Sequence, residues 1–101
     1  MAKRIANVIV DSPIREPLDY LVPADIEIQV GQRCLVPLGT RKVVGIVVGF
    51  SEESRFSKLR EVISRVDDIA PLSFGWLALT SFAARYYQSG WGQLAIPALP
   101  K

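Results

Sequence analysis

Val43–Phe50 reads Val-Val-Gly-Ile-Val-Val-Gly-Phe, a β-branched run interrupted only by Gly45 and Gly49. Branching at Cβ restricts χ1 against a helical turn and packs well on a pleated surface, so this stretch predicts a strand. Glycine inside a strand weakens it and needs a reason. A bulge or tight barrel bend comes first, and close approach of another backbone or a ligand second. Three shorter β-type runs precede it. Residues 4–10 (Arg-Ile-Ala-Asn-Val-Ile-Val) close at Asp11-Ser12-Pro13, Leu18–Val22 ends at Pro23, and Gln32–Pro37 follows a glycine turn. Asp25–Gly31 alternates polar and apolar residues, as a half-exposed segment does, whether as ladder strand or extended loop. After the polar loop Ser51–Lys58, Leu59–Val66 predicts a fifth strand, with Val62, Ser64 and Val66 on one face and Glu61, Ile63 and Arg65 on the other.

At Pro71 the period changes. Ser73 suits an N-cap and Gly90 a C′ position, framing a helix of about four turns. Leu79, Phe82, Ala83 and Tyr86 recur at helical spacing and predict its core-facing stripe. Arg85 is the only charge there, yet Ser, Thr and Gln break the apolar run far short of the roughly 20 residues a membrane span requires. Trp91–Pro100 reads as an extended, proline-limited tail, and Trp76 and Trp91 as structural residues holding helix and tail to the sheet. The elements add up to a mainly β fold: a small curved antiparallel sheet or partly open β-barrel of about five strands in a meander, with one C-terminal helix packed on it. Residues 1–101 then form one domain, with a barrel-like part (1–70) and a helix and tail (71–101).

Composition excludes more than it suggests. Twelve basic and ten acidic residues leave a net charge of +2, too little to identify a nucleic-acid binder by electrostatics alone. Histidine is absent and Cys34 is the single cysteine, which removes an internal disulfide and the usual Cys/His zinc site. Cys34 sits among strand residues and reads as a buried thiol. The chain has no phosphate loop, histidine base or nucleophile motif, so no catalytic residue is assigned and catalysis by it alone is not expected. Asp67-Asp68 and Glu52-Glu53 read as solvated turns, because adjacent strand residues point to opposite faces and cannot share a ligand. The N-terminus turns polar too early for a signal peptide, which favours a cytoplasmic location.

Asp19 is the carboxylate of interest, lying between Leu18 and Tyr20 in a short strand. The plain reading is a strand-edge acid bonded to a turn amide. A carboxylate is also a good acceptor for a hydroxyl or a base amino group, though a poor grip on phosphate. Tyr20 has two readings, core packing and a ring face for a base, of which packing is favoured. Arg41, Lys42, Arg55, Lys58 and Arg60 come from loops and a strand start that can converge on one basic rim.

An ordered set of motifs narrows these choices. Leu18-Asp19-Tyr20-Leu21-Val22-Pro23, Gly31-Gln32-Arg33-Cys34-Leu35-Val36-Pro37-Leu38-Gly39 and Gly45-Ile46-Val47-Val48 stand in sequence, followed by Leu59-Arg60-Glu61-Val62-Ile63, Ala84-Arg85-Tyr86-Tyr87 and Ala98-Leu99-Pro100. The set resembles the N-terminal domain of the primosomal replication-restart helicases and covers nearly the whole chain. No tripeptide is specific; the order is. The resemblance implies a DNA-binding module that captures the 3′-OH end of the leading strand at stalled forks. It also implies a pocket built from Leu18, Asp19, Tyr20, Gly39 and Arg60, with Arg41, Lys42, Arg55 and Lys58 near the DNA backbone. Arg60 stands where most members have lysine, keeping the charge. Leu18 stands where most have an aromatic, which weakens stacking there unless that wall acts through its main chain. The parent of such a domain is an ATP-dependent 3′–5′ helicase. ATP, magnesium and zinc would belong to its absent C-terminal part, with no cofactor in this fragment. Other primosome proteins and single-stranded DNA-binding protein would be met through that parent, near the nucleoid and away from membranes. The competing reading is a small β-barrel protein–protein interaction module, which an exposed apolar patch over helix and tail would favour.

Overall fold

One long strand organises the sheet. The computed structural model describes residues 4–14, 16–54, 58–66 and 71–99. Within them lie β1 (Arg4–Ile9), β2 (Leu18–Val22), β3 (Arg33–Leu38), β4 (Arg41–Ser51), β5 (Ser64–Arg65), α1 (Phe74–Tyr86) and α2 (Trp91–Ala95). The ladders are antiparallel, in the order β2-β1-β4-β3-β5. The curved antiparallel sheet with a helix on it is therefore present, but not as a meander. The 11 residues of β4 explain the difference. Its first half, Arg41–Ile46, pairs with β3, and its second, Ile46–Ser51, pairs with β1.

Both reasons offered for the glycines of β4 apply. Asn7 pairs with Gly49 and the next residue, Val8, with Val47, so Val48 is the extra residue of a bulge. At Gly45, a Cβ would strike the Val8 side chain and the Ile9 carbonyl of the neighbouring strand.

Residues 60–66 link the two edges of the sheet. Leu21 N–H donates to the Arg60 carbonyl and Val62 N–H to the Leu21 carbonyl, both at 2.9 Å, in a parallel bridge on β2. Ile63 and Val66 then donate to the Leu35 and Arg33 carbonyls of β3, again at 2.9 Å. The strand expected over Leu59–Val66 thus contracts to Ser64–Arg65, because a segment that changes partner midway cannot run one continuous ladder. Val62 is buried while Glu61 and Ile63 are exposed, as the alternation predicts, but Ser64 is exposed as well. Asp25–Gly31 is irregular chain, not a ladder strand, with Ile28 buried between exposed Glu27 and Gln29.

Two apolar layers result. Inside the curved sheet, Ala6, Val8, Val10, Tyr20, Val22, Ile28, Cys34, Val36, Val47 and Val62 form one core. On the opposite face, Ile9 and Ile46 meet Leu77 of α1 and Ala95 of α2, with Trp76 and Trp91 packed against them. Both tryptophans are structural, as expected.

The helical region departs from expectation in three ways. Ser73 does cap α1, its Oγ accepting from Trp76 N–H at 3.1 Å. The stripe Leu79, Phe82 and Tyr86, however, faces away from the sheet, and Ala83 is only half-buried. The buried residues are Leu77, Thr80 and Ala84. The period was legible and the phase was not: Leu77 meets Ile9 and Ile46 of the sheet, and Thr80 turns to Trp91 of α2. Thr80 Oγ1 shares its one proton between the Trp76 and Leu77 carbonyls (3.1 and 3.0 Å) and accepts from Trp91 Nε1 (3.0 Å), joining the helices. Second, α1 ends before Gly90. Gln88 takes the positive φ of 54°, with Ser89 N–H on the Ala84 carbonyl and Gln88 N–H on the Arg85 carbonyl. Third, the tail is not extended: Gly90 opens α2, and Gln93 Oε1 reaches back to its N–H at 3.3 Å. Gly90 and Gly92 lie so close to the Ser12 and Val10 carbonyls that a Cβ at either would collide with that backbone. Among the described residues, no helix is long and apolar enough to cross a membrane.

Candidate functional site

Pleating divides β2 between the core and a pocket. Tyr20 and Val22 are buried in the inner core, Leu18 packs against it, and Asp19 points to the other face. Leu21 directs its N–H and C=O toward residues 60–62. Main-chain groups two residues apart face the same edge, so those of Asp19 are aimed that way too. Leu18, Asp19, Tyr20, Lys58, Leu59 and Arg60 together line a shallow pocket of about 170 Å³ along this edge.

The Asp19 carboxylate is held on both oxygens. Asn7 Nδ2, directly across from it on β1, donates to Oδ1 at 3.0 Å, and Ser54 Oγ donates to Oδ2 at 2.6 Å. Asn7 Nδ2 also donates to Ser51 Oγ at 3.1 Å. The partners expected from sequence, turn amides, are replaced by side chains. A carboxylate has about four acceptor positions, so one bond to each oxygen leaves capacity for a further donor.

Arg60 ties a distant turn to the pocket. Its Nη1 donates at 2.7 Å to the carbonyl of Gly39, in the turn between β3 and β4. Gly39 has φ +61°, and a Cβ there would meet nothing within 4 Å. It is a positive-φ turn residue with open space before it. Arg41 and Lys42 follow on β4 opposite Leu38 and Pro37, and both are exposed, as is Lys58. Arg55, like Asp67-Asp68, lies outside the described residues. Glu52 and Glu53 are exposed in the loop that also carries Ser54.

Tyr20 contributes differently from its neighbours. Its ring is in the core and its hydroxyl donates to the Pro37 carbonyl at 2.6 Å, which leaves no ring face for stacking. Burial raises the phenol pKa, the positive charge of Arg60 opposes the rise, and Cys34 adds to it. Cys34 is buried on β3, and burial pushes its thiol up to about 12, so it is unreactive at neutral pH. Sequence reasoning missed Asn7, Ser51 and Ser54. A signal existed for Asn7: one carboxamide inside an apolar strand needs a partner, and Gly49 opposite it makes room. A Cβ on Gly49 would approach Asn7 Oδ1 to 3.0 Å.

The site therefore combines one buttressed carboxylate, main-chain groups at a strand edge, and the cations Lys58 and Arg60. That set can accept from a hydroxyl or amino group while placing positive charge near a phosphodiester. The family described as 3′DNA-binding domain (3′BD) matches residues 7–100. Replication restart protein PriA of Haemophilus influenzae is 37% identical over 102 residues, covering 96% of this chain and 14% of that protein. The protein of the same name from Rickettsia felis is 31% identical over 97 residues, covering 96% and 15%. That from Buchnera aphidicola of Schizaphis graminum is 29% identical over 99 residues, covering 96% and 14%. The chain thus spans only 14–15% of the length of these relatives.

Proposed function

This chain belongs to the 3′ DNA-binding domain family found in replication restart protein PriA, and from that membership we propose that the pocket along β2 receives the terminal nucleotide of a DNA 3′ end. The observation that carries the reading is the meeting of Asp19, Lys58 and Arg60 in one pocket, with Gly39 fastened to Arg60. Asp19 accepts from the terminal 3′-OH or a base amino group. The main-chain groups of Asp19 form the wall at this edge, so leucine at position 18 serves where no stacking is required. Lys58 and Arg60 attract the last phosphodiester, with Arg41, Lys42 and Arg55 supplying weaker attraction further along the strand.

Interior nucleotides have no free 3′-OH, and an acidic pocket rewards the end over the middle. In a longer polypeptide this domain orients the enzyme at a stalled fork by holding the leading-strand terminus. An ATP-dependent 3′–5′ helicase activity, with its ATP, magnesium and zinc, resides in the remaining chain. Contacts with other primosome proteins and single-stranded DNA-binding protein run through that part, in the cytoplasm at the nucleoid.

The test uses matched oligonucleotides ending in 3′-OH or 3′-phosphate, with a third carrying 5′-phosphate, read by fluorescence anisotropy. A 3′-phosphate replaces a donor with acceptors and adds negative charge beside Asp19. Like charges about 4 Å apart repel by about 1 kcal/mol in water-like surroundings and about 4 kcal/mol at an effective dielectric near 20. Arg60 offsets part of this, so affinity should fall about ten- to a hundredfold. The 5′-phosphate should change almost nothing. Equal affinity for both 3′ ends would show that the pocket does not read the terminus.

A further inference from the structure

The outward face of α1 has no partner among the described residues. Leu79, Phe82 and Tyr86, spaced i, i+3, i+7, are 66, 63 and 73% exposed, and Phe74 is 77% exposed at the start of the helix. Tyr87 extends the patch, its ring edge-on to Tyr86 at 5.1 Å between centroids. Single exposed apolar residues are ordinary, but a stripe along one helix is not. A surface helix normally sets a polar face against its apolar one, and a helix apolar on both is normally buried on both. Here the buried side is Leu77, Thr80 and Ala84, and the only charge in the helix is Arg85.

We propose that this face docks on the remainder of the same polypeptide, the part that a PriA-type chain carries outside this domain. The relatives supply the reason for that occupant, since 14–15% of their length corresponds to this chain and the rest is available to cover it. Position agrees. Ile96 and Leu99, just after α2, pack in the same core as α1, so chain continuing from there starts in the helical layer. The candidate pocket is lined by Leu18–Tyr20 of β2 and Lys58–Arg60, whereas the helices cover Ile9 and Ile46. Nucleic acid is a poor occupant for the stripe, because a phosphate backbone requires several cations and the exposed Arg85 is the one charge the helix carries. Docking through α1 leaves the pocket open and holds it at a set orientation to the rest of the enzyme. This proposal rests on family membership and not on the pocket's reading of a 3′ end.

Hydroxyl-radical footprinting of Phe82 and Tyr86 tests it, comparing the 101-residue chain with the full-length polypeptide that carries it. At least a fivefold slower oxidation of both residues in the full-length protein is expected, with Ile63 and Val44, exposed on the sheet, unchanged. A Phe82→Ser, Tyr86→Ser double variant should leave the isolated domain's melting temperature and 3′-end affinity unaltered. In the full-length protein it should speed proteolysis between the domain and the rest and return the oxidation of Phe74 toward its rate in the isolated chain. Equal oxidation rates in both contexts would overturn the proposal. So would protection that appears in the isolated chain with rising concentration, which would assign the face to a second copy.

Discussion

Asn7 and Asp19 face each other across β1 and β2, and the carboxamide Nδ2 of one donates to the carboxylate Oδ1 of the other at 3.0 Å. The bond is only partly buried, and Ser54 holds the second oxygen at 2.6 Å. An anchored carboxylate presents its remaining lone pairs in one direction, so less rotamer freedom is lost when a ligand arrives. Asn7 is thus a positioning residue for Asp19.

Removing the carboxylate and removing its anchor should differ in size. Asp19→Ala should weaken binding of a single strand with a 3′-OH end by about 1–3 kcal/mol, the range for a hydrogen bond to a charged group. Asn7→Ala should cost less, on the order of 1 kcal/mol, because it removes the anchor and leaves in place the carboxylate that meets the ligand. Both sites are half-exposed, so melting temperatures should change little. Anisotropy titrations with 3′-OH and 3′-phosphate ends separate the roles. Asp19→Ala should abolish discrimination between the ends, whereas Asn7→Ala should reduce it. Full discrimination in Asp19→Ala would remove that residue from the site.

Salt dependence reports how many phosphates the domain engages. With Lys58 and Arg60 at the pocket, about one or two phosphate contacts are expected, giving a slope of log K against log salt of about −0.7 to −1.4 for a single strand. A slope of about −4 or steeper would mean that the basic rim, not the end pocket, dominates.

Gly39 and Gly92 should lose unequal amounts of stability to the same substitution. Gly39 has φ +61° and open space, so Gly39→Ala should cost about 1–2 kcal/mol of stability from the left-handed conformation alone. Gly92 is in α2 against Val10, and a Cβ there meets the Val10 backbone, so Gly92→Ala must displace the helix. A loss of about 3 kcal/mol or more, the scale of severe core disruption, is expected by denaturant unfolding. Equal losses would contradict the close packing of α2 on Val10.

Cys34 gives the domain an alkaline limit. Burial raises its thiol from 9.0 to about 12, so the folded chain keeps a proton that the unfolded chain releases. The stability from this difference is complete below pH 9.0 and is lost as pH rises toward about 12. The slope should reach at most about 1.4 kcal/mol per pH unit in that window. Cys34→Ala should be less stable at neutral pH yet lack this component, which denaturant melts at pH 8 and 10.5 would reveal. Iodoacetamide should not label native Cys34 at pH 8.

Local chemistry made much of this protein legible from its residues. β-branched runs and proline stops marked β1 to β4, because those preferences act over a few residues; Ser73 marked the start of α1 for the same reason. The motif order carried the family, and it placed Asp19, Gly39 and Arg60 together before any distance was known. Tertiary structure decided what depends on partners distant in sequence. Leu79, Phe82 and Tyr86 have the spacing of a core stripe, but helical period fixes which residues share a face and not which face meets the sheet. α2 exists because Gly90 and Gly92 fit against the backbone at Ser12 and Val10, a contact between chain ends that no local pattern announces. Residues 60–66 lose most of their ladder because they serve β2 and β3 in turn. Asn7 and Ser54 reach Asp19, and Ser51 reaches Asn7, only after β1, β2 and β4 have aligned. Spacing along a chain sets which side chains are neighbours on one element, whereas hydrogen bonds across 12 to 44 residues are settled by sheet register alone.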